Sequence, residues 1–291
     1  MVHFLRNGCS LKERSNIIFV CGGNKPTAIR QQFLDYCSKN FKEIEPFRPE
    51  DAMPNVALSA SVKKFNIAHF EELIGELAHA IVIFPEAAGS FAEVGYFSKT
   101  KLAEKVILAS NFKYHAKESF ISLGPAQIYN DKSKFRGYIQ LNYNLRNKSK
   151  KFEAVIEAIQ KITLKSRLKP LTLKTFSSLT AYDQMCLIYG LFDFLQLATF
   201  EDIISLLHSI FNGQFSKDKV QKIISILYGS KYIFEVGKFG HYRIDKEKAK
   251  LLEPLNGFKA EATRIRLEIS AINASASSDF SELIGGMSHA I

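Results

Sequence analysis

Ala80-Ile-Val-Ile-Phe-Pro-Glu-Ala-Ala-Gly-Ser-Phe-Ala-Glu-Val-Gly-Tyr96 is the stretch whose reading decides the fold. Its first five residues form an unbroken apolar run, as in a strand buried on both faces, and Pro85 ends it because proline brings no N–H to a sheet ladder. Gly89 supplies a tight turn. Ser90 is an N-cap by residue type, with Glu93 three residues on at capping-box spacing, so a helix is predicted over 91–103. Strand, turn and helix in this order place the Glu93 carboxylate just inside a helix N-terminus, a geometry suited to chemistry on a ribose. Taken alone, the pattern reads equally well as an ordinary helix cap.

A second stretch repeats the arrangement. Asn16-Ile-Ile-Phe-Val-Cys-Gly-Gly-Asn24 is an apolar strand ending in a glycine pair, and Pro26 is placed to start a helix over 27–40. Two such turns bring two helix N-termini to the carboxyl ends of a parallel sheet, where open α/β folds bind ligands. The N–H groups of Gly22, Gly23 and Asn24 are then available to a phosphate or to ribose oxygens, although the turn matches neither the dinucleotide fingerprint nor the P-loop and also reads as a plain tight turn. An extended segment over 44–48 leads to Pro49-Glu-Asp51, and Ser61 opens a helix with Val62, Phe65, His69, Leu73 and Leu77 on one face. A strand over 105–109, an outer strand over 137–142 and a closing helix over 150–164 complete an alternation that predicts a parallel sheet with helices on both faces.

Residues 166–180, rich in Ser, Thr, Lys and Leu with Pro170, read as a linker. Helices follow over 182–197 and 200–211, and Ser216 caps a third with Val220, Ile223, Ile224 and Leu227 along one face. Strands over 232–236 and 241–244 then flank Gly237-Lys-Phe-Gly240. Three helices and a hairpin predict a winged helix-turn-helix, which would offer Lys217, Lys219 and Lys222 from its third helix, with Lys238 and Arg243 from its wing, to a phosphate backbone. Such modules also serve as protein-docking or dimerisation units. The predicted organisation is a domain over 1–165, a linker over 166–180 and a winged-helix domain with a helical tail over 181–291.

The chain of 291 residues is 46% hydrophobic, enough for two cores, and carries a formal net charge of +10. Nearly all the excess lies in residues 95–165, with 14 Lys+Arg against 5 Asp+Glu. Lys132, Lys134, Arg136, Arg146, Lys148, Lys150 and Lys151 run without an intervening acid, interleaved with Phe135, Tyr138 and Tyr143. Cations beside aromatic faces suit a nucleic-acid backbone and stacked bases, while the ordinary reading is a solvated surface. Cys9, Cys21, Cys37 and Cys186 form no CxxC pair and have no His at metal spacing, so they read as reduced thiols and no metal site is expected. Cys21 is a small core residue or, less simply, a reactive thiol at the strand end. No apolar run reaches the roughly 20 residues of a membrane span, and the first residues lack a signal segment, so a soluble cytoplasmic protein without a membrane partner is expected.

The order Ile18-Phe-Val-Cys-Gly-Gly23, Phe47-Arg-Pro-Glu-Asp51, Phe84-Pro-Glu-Ala-Ala-Gly-Ser-Phe-Ala-Glu-Val-Gly95 and Ser119-Phe-Ile-Ser-Leu-Gly-Pro125 resembles the nucleoside 2-deoxyribosyltransferase-like effector toxins encoded with bacterial retrons. Gly89-Ser-Phe-Ala-Glu93 is also similar to the Gly-Thr-x-x-Glu turn of nucleoside deoxyribosyltransferases. The resemblance implies a Rossmann-like α/β fold followed by the winged helix. It also implies an N-glycosidase held inactive by a complex of the retron reverse transcriptase with its multicopy single-stranded DNA and RNA. NAD would be its substrate rather than a cofactor, and nicotinamide, already cationic in NAD, can leave without general-acid help. On this reading Glu93 attacks or electrostatically supports the anomeric carbon, kept charged by the helix N-terminus. Gly22, Gly23 and Asn24 hold sugar or phosphates, Glu50 and Asp51 bind ribose hydroxyls, and Pro85, Gly89, Ser90 and Phe91 shape the pocket. Glu86 stands near the position of a deoxyribosyltransferase acid but reads more simply as a solvent-facing turn carboxylate. Two alternatives stay open: transfer or hydrolysis on free nucleosides or nucleotides, and a nucleotide-sensing DNA-binding regulator without catalysis.

One pattern is left over. Phe70-Glu-Glu-Leu-Ile-Gly-Glu-Leu-Ala-His-Ala-Ile81 and Phe280-Ser-Glu-Leu-Ile-Gly-Gly-Met-Ser-His-Ala-Ile291 share Phe, Glu, Leu, Ile, Gly, His, Ala and Ile in register. Either two amphipathic helices are alike by chance, or the tail docks where an equivalent helix would pack, on a neighbouring subunit of a homo-oligomer.

Overall fold

The computed structural model describes residues 1–13, 16–52, 66–112, 119–163, 168–237, 240–248 and 250–275. It divides into two compact units, one gathering Arg14–Asp51 with Lys64–Ser166, the other gathering Met1–Glu13 with the chain from Arg167 onward. Helix α1 (Val2–Asn7) and strand β1 (Cys9–Lys12) therefore open the chain but belong to the unit formed mostly by its C-terminal half.

The first-named unit contains β2 (Ile17–Cys21), α2 (Ile29–Asn40), β3 (Glu45–Phe47), α3 (Ile67–Leu77), β4 (Ala80–Ile83), α4 (Ala88–Ser98), β5 (Val106–Asn111), α5 (Phe120–Leu123), α6 (Pro125–Lys132), β6 (Tyr138–Leu141) and α7 (Lys148–Thr163). Its five strands are all parallel, in the order β3-β2-β4-β5-β6. Counted within the unit this is 2-1-3-4-5, a doubly wound order that reverses between β2 and β4 and opens a crevice beyond their carboxyl ends. Every residue of β2 and β4 is buried, as their unbroken apolar runs require. One face of the sheet packs Val20, Val82 and Ile107 against Phe33 of α2 and Phe152, Val155 and Ile159 of α7. On the other, Phe19 meets Phe97 of α4 edge-on at 6.0 Å.

Helix α3 begins at Ile67, capped by the Asn66 side chain, and its buried residues are Phe70, Leu73, Ile74, Gly75 and Leu77. The predicted face is corrected at His69, which is exposed; Ser61, Val62 and Phe65 lie outside the described residues. Gly75 lets the helix close on Leu102, whose Cδ1 would stand 2.6 Å from an added Cβ. Gly137 is tighter still, since its Cβ would fall 2.0 Å from the Tyr129 carbonyl oxygen, a backbone atom that cannot rotate away. Gly137→Ala is accordingly expected to cost about 3 kcal/mol, read as a lowered denaturant midpoint.

The other unit holds β7 (Leu168–Pro170), α8 (Ala181–Leu195), β8 (Ala198–Thr199), α9 (Phe200–Phe211), α10 (Lys217–Gly229), β9 (Ile233–Val236), β10 (His241–Ile244), β11 (Leu252–Pro254) and α11 (Lys259–Ser275). Strand β1 is the middle of an antiparallel sheet β11-β1-β7, with Ser10 opposite Pro170 and Leu11 opposite Leu252. Part of the stretch read as a linker is thus built into this unit, with Leu171 and Phe176 buried. Helix α8 is apolar on nearly all sides and buried over most of its length, as a central helix must be. Ser216 caps α10 through the Lys219 N–H, and β9 and β10 form the expected hairpin, extended by β8 into an antiparallel sheet β8-β10-β9. The tail repeat Phe280–Ile291 lies outside the described residues.

Candidate active site

The crevice at the reversal of strand order is built from two turns. Strands β2 and β4 run in register to Cys21 and Ile83, and the Phe84 N–H donates to the Cys21 carbonyl at 3.0 Å. The turn after β2 and the turn after β4 are then joined by Glu86. Its Oε1 accepts from the N–H groups of Gly23 (3.1 Å) and Arg30 (3.0 Å), and its Oε2 from that of Ile29 (2.9 Å). The Ile29 and Arg30 N–H groups are donors of the α2 N-terminus, where partial positive charge favours an anion. A carboxylate of the chain itself therefore takes the Gly23 N–H, one of the three that the sequence suggested for a phosphate, and Glu86 is corrected from a solvent-facing turn carboxylate to a bridge between two loops. The glycines serve that bridge: a Cβ on Gly22 would stand 2.7 Å from Arg30 Cβ, and one on Gly23 would stand 3.3 Å from Glu86 Cγ.

Ser90 is also corrected. Helix α4 starts at Ala88, with Ala87 at the N-cap position, and Ser90 is its third residue. Because alanine has no side-chain acceptor, the Ser90 hydroxyl reaches back instead, accepting from the Glu86 N–H (3.1 Å) and the Ala87 N–H (3.0 Å) and donating to the Ala87 carbonyl (2.8 Å). Glu93 consequently lies past the first turn of α4, where a helix N-terminus exerts little hold on charge. Its Oε2 is closed off from solvent without a hydrogen-bond partner, and the Cys21 thiol hydrogen-bonds the carboxylate. Burial pushes the Glu93 carboxyl up from its ordinary value, against the Cys21 bond and the Arg30 charge, while the Glu50 charge adds to the rise. The expectation that the helix N-terminus keeps it readily charged is corrected accordingly.

Arg30, only 5% exposed, crosses the floor of the site. Its guanidinium forks onto Glu50 at 3.0 and 3.4 Å, donates from Nε to the Gly23 carbonyl at 3.1 Å, and also donates to the Asn24 side chain. Glu71, on α3, is half-buried and feels the charges of the same group electrostatically. Its carboxyl is pushed up to about 7, first by burial, then by the charges of Glu93 and Glu50, with Arg30 opposing. The Cys21 thiol, wholly enclosed and facing Glu93 and Glu71, is raised well above the thiol range, so it stays protonated as a donor and is no reactive thiolate. Behind the site the Tyr129 hydroxyl donates to the Val94 carbonyl at 2.6 Å, fixing α4 next to Glu93.

The raised carboxyls carry a stability consequence. A group whose folded pKa exceeds its unfolded value stabilises fully below the unfolded value, and the contribution is lost as pH climbs through the folded one. For Glu71 that window runs from about 4.5 to about 7. Glu71→Gln is therefore expected to gain about 1 kcal/mol over the native chain at pH 8, allowing for solvent screening, and nothing at pH 4, as read by thermal melts at both values.

The other expected site residues fall into three groups. Pro85 and Ser90 are buried beside Glu86, while Gly89 and Phe91 are exposed on the first turn of α4. Glu50 is taken by Arg30, and Asp51 by Arg48 at 2.6 Å, so both ribose-binding candidates already hold arginines. Among the basic residues, Lys132, Arg136, Arg146, Lys148 and Lys150 are exposed, and Lys134 pairs with Glu104 at 2.6 Å. Lys151 is buried, its amino group donating to Gln32 Oε1 (2.8 Å) and the Tyr143 carbonyl (3.0 Å), which removes it from any contact surface. Lys217 is exposed, Lys219 half-buried, Lys222 pairs with Asp218 at 2.8 Å, and Arg243 stacks 4.4 Å from the Phe234 ring centre. Lys238 lies outside the described residues. Sequence reading missed Arg30, Glu71 and Tyr129; the only signal for Glu71 was its place in the repeated Phe70–Ile81 segment.

A doubly wound parallel sheet whose reversal point holds a buried arginine paired with Glu50, with Glu86 bridging the two turns, defines an α/β protein with a carboxylate-lined crevice at the strand ends. The chain belongs to the STM3845 retron effector protein family, whose model matches residues 26–235. It is 34% identical over 125 residues, 41% of this chain and 40% of the relative, to an Escherichia coli protein named "Retron Ec86 putative ribosyltransferase/DNA-binding protein". It is 28% identical over 133 residues, 44% of this chain and 42% of the relative, to the Escherichia coli "Retron Ec73 putative ribosyltransferase/DNA-binding protein". The chain thus spans about two fifths of the length of these curated relatives.

Proposed function

We propose that this retron effector cleaves an N-glycosidic bond, with NAD or a related nucleotide as substrate and Glu93 as the carboxylate at the anomeric carbon. The observation that carries the reading is the Glu93 Oε2 atom, buried without a partner at the point where the strand order reverses. An acceptor kept dry and unpaired is costly to the fold and suited to meeting positive charge that develops on a sugar. Nicotinamide needs no proton to leave, which fits a crevice whose nearest turn carboxylate, Glu86, is already engaged by three N–H groups. The ribosyltransferase names of the relatives agree with this class of chemistry.

On the same reading the cytoplasmic chain is restrained by the retron reverse transcriptase and its multicopy single-stranded DNA. Lys148 and Lys150 on α7, with Lys217 and Lys219 on α10, are its exposed or half-exposed cationic contacts in the two units. The α8–α10 helices with the β9–β10 hairpin would act as the winged helix-turn-helix. A second reading, a nucleotide-sensing regulator, draws on the DNA-binding part of the relatives' names. Nicotinamide release from NAD by the native chain and by Glu93→Gln separates the two: an enzyme loses turnover in the variant, whereas a sensor shows none in either.

A further inference from the structure

Strand β6 ends the five-stranded sheet, with β5 on one side and no strand on the other among the described residues. The Leu108 N–H donates to the Gly137 carbonyl at 2.8 Å, and Asn111 lies opposite Leu141. In a parallel ladder alternate residues serve one neighbour, so Gly137, Ile139 and Leu141 turn their backbone groups to β5, and Gln140 turns its N–H and C=O away from the sheet. On that open side a groove of about 300 Å³ lies between β6 and α7, with Gln140 on one wall and apolar surface from Leu141, Leu145 and Ala154. Its charges are ordered along the helix, which returns from the carboxyl to the amino end of the sheet. Lys151, in the first turn of α7, donates to the Tyr143 carbonyl just after β6 at 3.0 Å, and Gln160, near its end, donates to Glu43 just before β3 at 3.2 Å. Lys150 therefore stands by the carboxyl end of β6, and Glu153 and Glu157 follow roughly 4.5 and 10.5 Å further along the helix axis. All three are exposed, and their side chains make no ion pair or hydrogen bond among the described residues. Like charges four residues apart on a helix repel, a cost that a cation in the groove would relieve.

We propose that this groove takes an extended peptide segment of a partner protein as an antiparallel strand beyond β6, with an acidic residue two positions before a basic one. The residue between them lies opposite Gln140 and exchanges both N–H···O=C bonds with it, as hydrogen-bonded pairs of antiparallel strands do. Its two neighbours then fall opposite Leu141 and Ile139, whose side chains pack in the core with Phe152 and Val155 of α7, so both neighbours point to the α7 side. The antiparallel direction sets the first of them by Lys150. The second, roughly 6.8 Å further on, falls between Glu153 and Glu157. The acidic side chain thus meets a lysine, and the basic one meets two glutamates. A nucleic-acid strand would satisfy only the first position, because its next phosphates would face two carboxylates.

The test is fluorescence anisotropy on the full chain with end-labelled synthetic peptides. Thr-Glu-Val-Lys-Thr is expected to bind about fivefold tighter than the reversed order Thr-Lys-Val-Glu-Thr. N-methylation of its valine, which removes the N–H meant for the Gln140 carbonyl, is expected to weaken binding about tenfold. Glu153→Lys combined with Glu157→Lys is expected to favour the reversed peptide instead, and a thermal melt checks that this variant keeps its fold. Equal affinity of the native chain for the two orders overturns the proposal, as does indifference to N-methylation. So does the failure of every peptide to bind below about 1 mM. Full displacement of the peptide by decathymidylate would assign the groove to a nucleic acid and overturn it as well.

Discussion

Glu93→Gln is expected to lower nicotinamide release from NAD by about 10³-fold or more while leaving the chain at least as stable as before. The argument is local. Glutamine keeps the shape of the side chain and one carbonyl oxygen for the Cys21 thiol, but it cannot neutralise charge on C1′ or bond to it. The native carboxylate is held in a dry setting that raises its pKa, with Oε2 unpaired. Removing that charge relieves the fold of a cost even as it removes the chemistry. Turnover measured beside a thermal melt at neutral pH therefore gives opposite movements. A variant that loses activity and stability together would show that Glu93 acts through the fold, and retained turnover would end the assignment.

The second large effect is expected at Glu86. Glu86→Ala removes the acceptor from three backbone N–H groups and withdraws negative charge from the start of α2. Bonds to a charged acceptor contribute more than neutral ones, and partial replacement by water limits the sum, so the expected cost is about 3 kcal/mol. Glu86→Gln retains one acceptor oxygen and should cost less, about 1 to 2 kcal/mol. Urea midpoints on the full chain read both. A change below about 0.5 kcal/mol for the alanine variant would mean that water replaces the carboxylate without penalty, and that the two loops hold their places unaided.

Much of the sheet was legible because its signals are local. Strand β2 falls in the apolar run before the glycine pair and β4 differs from its predicted bounds by one residue, since each is an unbroken apolar run stopped by glycine or proline. Ser216 was legible as a cap because its partner lies three residues away. The site was harder to read because its bonds are long-range. Nothing near Glu86 in the sequence announces Gly23 or Arg30, 63 and 56 positions distant. Ser90 misled because a serine three residues into a helix can reach back to the same N–H groups that a cap would serve. Glu71 looks like one of two adjacent solvent glutamates until the turn of α3 that buries Phe70 and Ile74 is known. Strand β1 is four residues long and is stabilised by partners from the far end of the chain, so no window around it could have revealed its unit.

The Cys21 thiol hydrogen-bonded to Glu93 also gives the site a vibrational reporter of its own. The S–H stretch absorbs where amides and liquid water leave an infrared spectrum nearly empty, and its frequency follows the charge of the group that accepts the proton. The other three cysteines are buried elsewhere in the chain, so the band lost on Cys21→Ala is the one that reports on the carboxylate. The ionisation of Glu93 can thus be followed in the resting protein, through a proton that never leaves sulfur.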